Sequence, residues 1–309
     1  MPRSTIIIGA PVESGTTQQG CIMGPASLRT AGLPKTLEAL GWQVEDRGDL
    51  SIAPQNPRGH ANGAVHHLAE TIAWIEQLTK VSEDAAGACD LPIFLGGDHS
   101  MSAGTMAGIA THASKLGRPL YVLWLDAHPD LHSLDTTASG NLHGTPMAYA
   151  CGMPGFEAYP ALSDALDPTK VCMMGIRSVD PAEHKRILEI GIEVHDMRAI
   201  DETGVLAPLR AFIERVKADN GLLHVSFDVD FLAPEIAPAV GTTVPGGATF
   251  REAHLIMEYL CDAGVVTSLD LVELNPFLDV RGRTATLMCD LTASLFGRRV
   301  LDRQTRSYS

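Results

Sequence analysis

Basic residues are scarce in this chain of 309: Lys and Arg number 23 against 37 Asp and Glu, for a formal net charge of −14. Nucleic-acid backbones and anionic membranes both require a basic face, so neither is expected as a partner. The acidity is compatible with a cationic ligand, although solubility alone accounts for it. Paired cysteines are also missing. Cys21, Cys89, Cys151, Cys172, Cys261 and Cys289 are scattered without a C-x-x-C, and several lie in apolar segments such as Lys170-Val-Cys-Met-Met-Gly175. They read as small hydrophobes of a reducing compartment, so a cytoplasmic location is expected. The apolar run near the amino terminus, Ile6-Ile-Ile8, is far too short for a signal peptide or a membrane span and reads as a first strand. Internal repeats, charge blocks and low-complexity linkers are absent too, and residues 1–309 are read as a single domain.

What the sequence does contain is an alternation of two periodicities. Short apolar runs near residues 4–9, 92–96, 120–126, 170–176, 192–195, 222–229 and 265–272 predict strands. Between them, residues 25–40, 61–80, 101–116, 182–190, 204–218, 250–262 and 282–297 predict helices. Such alternation predicts an α/β fold of three αβα layers, with a mostly parallel central sheet between helices. Residues 52–59, which include prolines, are expected to form a surface loop.

Acids and histidines collect where the strands end. Gly96-Gly97-Asp98-His99 follows one run, Asp126-Ala-His128-Pro-Asp130 a second and Asp228-Val-Asp230 a third. Ligands of parallel sheets bind outside the carboxyl ends of the strands. Side chains spaced by two point to one side if the strand continues, and a bend still leaves them close. Converging carboxylates repel and are costly to desolvate unless cations neutralise them. An oxygen-rich donor set with two imidazoles favours Mn²⁺ over a thiolate-seeking Zn²⁺. Two such ions about 3.5 Å apart can share a hydroxide formed near neutral pH, so metal-assisted hydrolysis is the expected chemistry.

The pattern along nearly the whole chain resembles the arginase family of ureohydrolases. The matching segments are Ile8-Gly-Ala-Pro11, Gly24-Pro-x-x-Leu-Arg29, Gly96-Gly-Asp-His-Ser100, Asp126-Ala-His-x-Asp130 and Ser139-Gly-Asn-Leu-His-Gly144. Further along come Asp180-Pro-x-Glu183, Ser226-Phe-Asp-Val-Asp230, Pro238-Ala-x-Gly-Thr242 and Glu273-x-Asn-Pro276. The resemblance implies two Mn²⁺ per chain: one held by His99, Asp126, Asp130 and Asp228, the other by His128, Asp126, Asp228 and Asp230. Asp126 and Asp228 would bridge, and Asp130 would orient the hydroxide shared by the ions. It also implies that His143 shuttles protons and that Glu273 receives a guanidinium. Thr137, Ser139 and Asn141 would bind the α-carboxylate of L-arginine, and Asp180 and Glu183 its α-ammonium; Thr242 joins the substrate contacts. From the residues alone, Asp180-Pro-Ala-Glu183 also reads as a helix start with acids opposing the dipole. The implied reaction is hydrolysis of L-arginine to L-ornithine and urea by a homo-oligomer, a trimer or hexamer.

Two positions depart from the family pattern. His132 stands where an Asn usually contacts the substrate carboxylate, and Phe231-Leu-Ala233-Pro replaces Gly-Leu-Asp-Pro after the last metal ligand. The first bears on specificity, since an imidazole can still donate to a carboxylate; the second bears on local packing. The remaining histidines, His60, His66, His67, His112, His184, His195, His224 and His254, show no paired ligand pattern and are read as surface or core, with His66 and His67 on a helix. The rival readings are a ureohydrolase for agmatine or guanidinobutyrate, a fold-related zinc deacetylase, and a catalytically silent homologue.

Overall fold

Residues 3–302 are described by a computed structural model, in which every strand joins one sheet. The strands are β1 (Ser4–Ala10), β2 (Gln43–Asp49), β3 (Ile93–Gly96), β4 (Leu120–Leu125), β5 (Val171–Ile176), β6 (Glu193–Asp196), β7 (Leu222–Asp228) and β8 (Val266–Val272). All pairings are parallel, in the order β2-β1-β3-β8-β7-β4-β5-β6. The sheet is therefore wholly parallel rather than mostly so, and its four central strands are β3, β8, β7 and β4.

Side-chain alternation assigns each strand residue to one of two cores. On one face Leu123, Leu125, Val225, Phe227, Leu269 and Leu271 pack with α1 (Gly24–Thr30), α2 (Leu33–Ala39), α8 (Leu206–Ala218), α9 (Phe250–Ala263) and α10 (Arg283–Leu295). On the other, Ile6, Ile8, Phe94, Val122, Trp124 and Met173 meet α3 (Leu68–Ala88), α4 (Ser102–Lys115) and α5 (Pro146–Ala150). Helix α3 lies so close to α4 that a Cβ on Gly108 would sit 2.1 Å from Ser82 Oγ and from Thr79 O. Phe231, the departure from the family pattern, is fully buried, and its ring lies where a Cβ on Gly175 would sit, 2.5 Å from Phe231 Cδ2.

Several predicted elements change. The helix expected over 25–40 is two, α1 and α2, separated at Gly32, which takes φ 92°. Strand β2 was not predicted because Gln43–Asp49 is a polar edge strand with no buried residue. Helix α3 starts at Leu68, not residue 61, so His66 and His67 precede it; His67 is its N-cap at φ 47°. The short α5 and α7 (Met197–Thr203) were likewise unpredicted, each too brief for its period to be read. Helix α6 (Pro181–Ile190) matches its prediction closely, and residues 52–59 are indeed a loop.

Candidate metal centre and substrate pocket

The carboxyl ends of β3, β4, β7 and β8 deliver the acids and histidines to one place. After β3 the chain turns at Gly97, where an added Cβ would lie 1.8 Å from Val12 O. Asp98 then accepts from Ser100 N at 2.9 Å and from Gly15 N at 2.7 Å, which fixes the start of the turn bearing His99. The His99 ring stacks on Trp124, with centroids 4.1 Å apart, and its Nε2 lies 2.8 Å from Ser226 Oγ. That leaves Nδ1 facing Asp126 Oδ2 and Asp228 Oδ2, each at 3.0 Å, and Asp130 Oδ2 at 3.3 Å.

A second group forms beside it. His128 Nδ1 is 2.9 Å from Asp230 Oδ2 and 3.6 Å from Asp126 Oδ1. Backbone amides hold the acids: Ala127 N donates to Asp230 Oδ1 at 2.9 Å, His128 N to Asp126 Oδ1 at 2.6 Å and Asp230 N to Asp228 Oδ1 at 2.7 Å. Asp126 belongs to both groups, as candidate ligand sets His99-Asp126-Asp130 and Asp126-His128-Asp230. Asp130 and Glu273 adopt φ of 50° and 64°, a left-handed conformation that costs a non-glycine residue about 1–3 kcal/mol.

Electrostatics state the same need for cations. Burial, together with the neighbouring carboxylates, pushes Asp228, Asp130 and Asp230 above the ordinary aspartate range. Burial also acts against Asp126, but the adjacent imidazoles of His128 and His99 outweigh it and hold this carboxyl below its usual value. For His128 the desolvation that lowers an imidazole is overcome by Asp126 and Asp230, which push it up to about 12. Two buried atoms, His99 Nδ1 and Asp126 Oδ2, face one another at 3.0 Å yet make no hydrogen bond. Lone-pair donors confined in this way fit a shared metal ion.

The centre forms the floor of a cavity of about 320 Å³. Every site residue named from the sequence lines it, together with two that were not named, Gly144 and Ser178. Glu273 Oε1 accepts from His99 N at 2.7 Å and lies 2.9 Å from His143 Nδ1, so this pair is tied to the backbone of a floor residue. His143 is fixed in turn by its own amide, which donates to Gly15 O at 3.0 Å. Burial lowers its affinity for a proton, but Glu273, Asp98 and Asp130 outweigh this and bring the imidazole up to about 9.

Comparison with known proteins resolves the family. The family model described as "Arginase family" matches residues 3–297. An arginase of Agrobacterium fabrum is 60% identical over 302 residues, 98% of this chain and 93% of its own length. The chain belongs to the arginase family. Its fold agrees with the native arginase of Bacillus caldovelox at a TM-score of 0.89 and 37% identity, covering 96% of this chain and 99% of that one. An Entamoeba histolytica arginase solved with L-ornithine gives 0.86 at 27% identity, with 96% and 99% covered. The chain is thus an arginase-type amidinohydrolase, an enzyme acting on C–N bonds.

The rim of this arginase-family pocket is made of loops and the first turn of α6. Thr137 Oγ1 accepts from Gly140 N at 3.1 Å and lies 3.4 Å from both Asn141 O and Ser139 Oγ, and Ser139 Oγ accepts from Asn141 N at 3.2 Å, so the loop holds both hydroxyls at the pocket wall. Asn141 Oδ1 is buried without a partner. Residues 62–66 buttress the loop: Asn62 Nδ2 donates to Leu134 O and Thr137 O at 2.9 Å, and His66 Nε2 is 3.1 Å from Ser139 O. Gly140, at φ 75°, lies so close that a Cβ would be 1.6 Å from Ala64 O. His66, read from the sequence as a bland helix histidine, is therefore a loop brace. The signal that could have shown it is the Ala61-Asn-Gly63 turn, which argues against a helix there.

Opposite this loop, Glu183 accepts from Leu131 N at 3.0 Å and Asp180 N at 3.1 Å, and burial raises its carboxyl. Arg177, also missed, clamps the third edge. Its guanidinium donates to Asp230 O at 2.6 Å and Val244 O at 2.7 Å, near Thr242, whose Oγ1 is 3.3 Å from Asp230 Oδ2.

Proposed function

We propose that this enzyme hydrolyses L-arginine to L-ornithine and urea. The observation that carries the reading is one cavity with a cation-demanding floor of His99, Asp126, His128, Asp130, Asp228 and Asp230, and a rim that pairs hydroxyl donors with acids. His99, Asp126, Asp130 and Asp228 would hold one Mn²⁺, and Asp126, His128, Asp228 and Asp230 the other. When bound, the two ions lower the pKa of water so that hydroxide is available near neutral pH.

The chain's own groups supply the rest. Glu273 receives the guanidinium and turns its carbon toward the floor. Thr137, Ser139 and Asn141 take the α-carboxylate, Asp180 and Glu183 take the α-ammonium beside it, and Thr242 joins the substrate contacts; such contacts remote from the reacting bond set its orientation. Hydroxide adds to the guanidinium carbon, the bond from that carbon to the side-chain nitrogen breaks, and the leaving amine takes a proton. Asp130 or His143 would deliver it, and His143, hydrogen-bonded to Glu273, would return protons to the site. The domain spans the full chain and works as a homo-oligomer in the cytoplasm.

A substrate panel tests the reading. Agmatine lacks the carboxylate and leaves the Thr137, Ser139 and Asn141 donors unpaired, at about 1–3 kcal/mol for each buried loss. Arginine should therefore exceed agmatine and 4-guanidinobutyrate by at least about a hundredfold in kcat/KM. Preference for either of those compounds would reject arginine as the substrate and leave the hydrolytic chemistry standing.

A further inference from the structure

A buried polar group lies beneath the floor, and none of the chemistry described above uses it. On the α4 side of the two central strands, His224 and Ser226 of β7 stand beside Ser268 and Asp270 of β8, in register as His224 with Ser268 and Ser226 with Asp270. All four are fully buried, as are Ser102 and Thr105 of α4, and the neighbouring strand positions Phe94, Val122 and Trp124 are apolar. Asp270 Oδ2 accepts from Ser102 Oγ at 2.8 Å and from Thr105 Oγ1 at 2.6 Å. His224 Nε2 lies 3.4 Å from the same oxygen, and its Nδ1 is 2.8 Å from Ser268 Oγ. Burying a carboxylate in the middle of a core is costly, and a well-packed apolar residue would avoid the cost. What the carboxylate adds is a fixed position: apolar contacts let a helix slide, whereas two hydrogen bonds to one oxygen set its place against the sheet.

We propose that Asp270, faced by His224, is a positioning residue for the candidate metal ligand His99, acting through Ser102 and Thr105. The turn His99–Met101 runs straight into α4, whose first residue is Ser102. Helix α3 closes the opposite side of α4: a Cβ on Gly104 would lie 2.6 Å from Leu78 Cβ and 2.9 Å from Ile75 O. The first turns of α4 are thus held between α3 and Asp270, just as the His99 ring is held between Trp124 and Ser226. A metal ligand works only when its supports keep it within about 0.5 Å of the productive place.

The consequence rests on the two-ion floor of the proposed function, and it is asymmetric. His128 follows β4, its amide is held by Asp126, and it makes no contact with α4 through Asp270. Loss of the Asp270 anchor therefore reaches the ligand set that contains His99 and spares the set that contains His128.

The test is Mn²⁺ titration of chelated full-length enzyme by calorimetry, with unfolding midpoints measured on the same samples. His99→Ala and His128→Ala identify which binding step belongs to which ligand set. Asp270→Ala should weaken the His99 step by about 10–100-fold and leave the His128 step unchanged, and Asp270→Asn, which retains an acceptor oxygen, should recover part of the loss. Thr105→Val keeps the side-chain shape and the Ser102 contact, so it should fold even if Asp270→Ala does not, and it should weaken the His99 step alone, by a smaller factor. Leu209→Ala, fully buried in the opposite core, controls for stability: it should lower the unfolding midpoint with both steps unchanged. Equal weakening of both steps in Thr105→Val and Asp270→Asn, or a lower midpoint with neither step altered, overturns the proposal. If wild type binds only one ion, the two-ion floor is rejected; Asp270 keeps its positioning role if Thr105→Val weakens that ion and loses it if the affinity is unchanged.

Discussion

The floor and the rim of the pocket are built in opposite ways. Floor residues sit at or just beyond the ends of the four central strands, are nearly all buried and are held by backbone amides: Asp126 is 1% exposed, and Asp228 and Asp230 are 2%. Rim residues sit at the start of α6 and on loops that brace one another side chain to backbone, as His66 does with Ser139 and Arg177 with Val244. A sheet edge fixes its acids in place and accepts the repulsion until cations arrive. A loop sets distances to a ligand more loosely, which suits the discrimination of substrates.

The comparison breaks most visibly at Asp126, the acid common to both candidate ligand sets. Asp126→Ala should remove both metals and lower kcat/KM by at least about 10³-fold, or about 4 kcal/mol. His99→Ala and His128→Ala should each weaken chiefly one ion, as read by metal titration. Equal small losses in all three variants would mean that the two ligand sets do not share Asp126.

Next comes His143, the residue that joins floor to rim through Glu273. Its replacement by Ala should cut kcat by about 10²-fold with metal content unchanged, and small exogenous bases should restore part of the rate. Loss of metal in that variant would make His143 a support of the floor.

How far each region could be read from sequence follows the same division. Strand-end acids were legible because an apolar run and the polar residues after it lie next to one another in the chain. The loop supports were not, because the contacts of His66 and Arg177 span 73 and 67 residues. The αL conformations of Asp130 and Glu273 left no trace either, since neither position carries the glycine that would advertise one. The rim substitution at His132 was visible as a residue type, but its pairing with Asp180 across 48 residues was not. Edge strand β2 escaped for a different reason: with both faces polar, it has no alternation to read.

A smaller effect sharpens the rim side. His66→Ala removes a brace of the Ser139–Gly140 loop without touching the floor, so KM for arginine should rise several-fold, on the order of 1 kcal/mol, with kcat and bound metal unchanged. A fall in kcat alone would contradict the division of labour.

The smallest effect is a pH dependence in metal-free protein. The imidazole of His143 is pulled down by burial and more strongly raised by Glu273, from 6.5 to about 9 in the folded state. Stabilisation from this pair is therefore full below about pH 6.5 and lost as pH rises through about 9. Chemical denaturation should show His143→Ala costing more stability at pH 6 than at pH 10. An equal cost at both would detach His143 from Glu273.

The central claim is that a two-ion floor drives the hydrolysis of a guanidinium held by the rim. Urea release from L-arginine, measured alongside metal content as chelated enzyme is titrated with Mn²⁺, tests it most directly. Activity should be absent after chelation, rise with bound Mn²⁺ and reach its plateau at two ions per chain; full activity in metal-free enzyme, or a plateau at one ion, would contradict it.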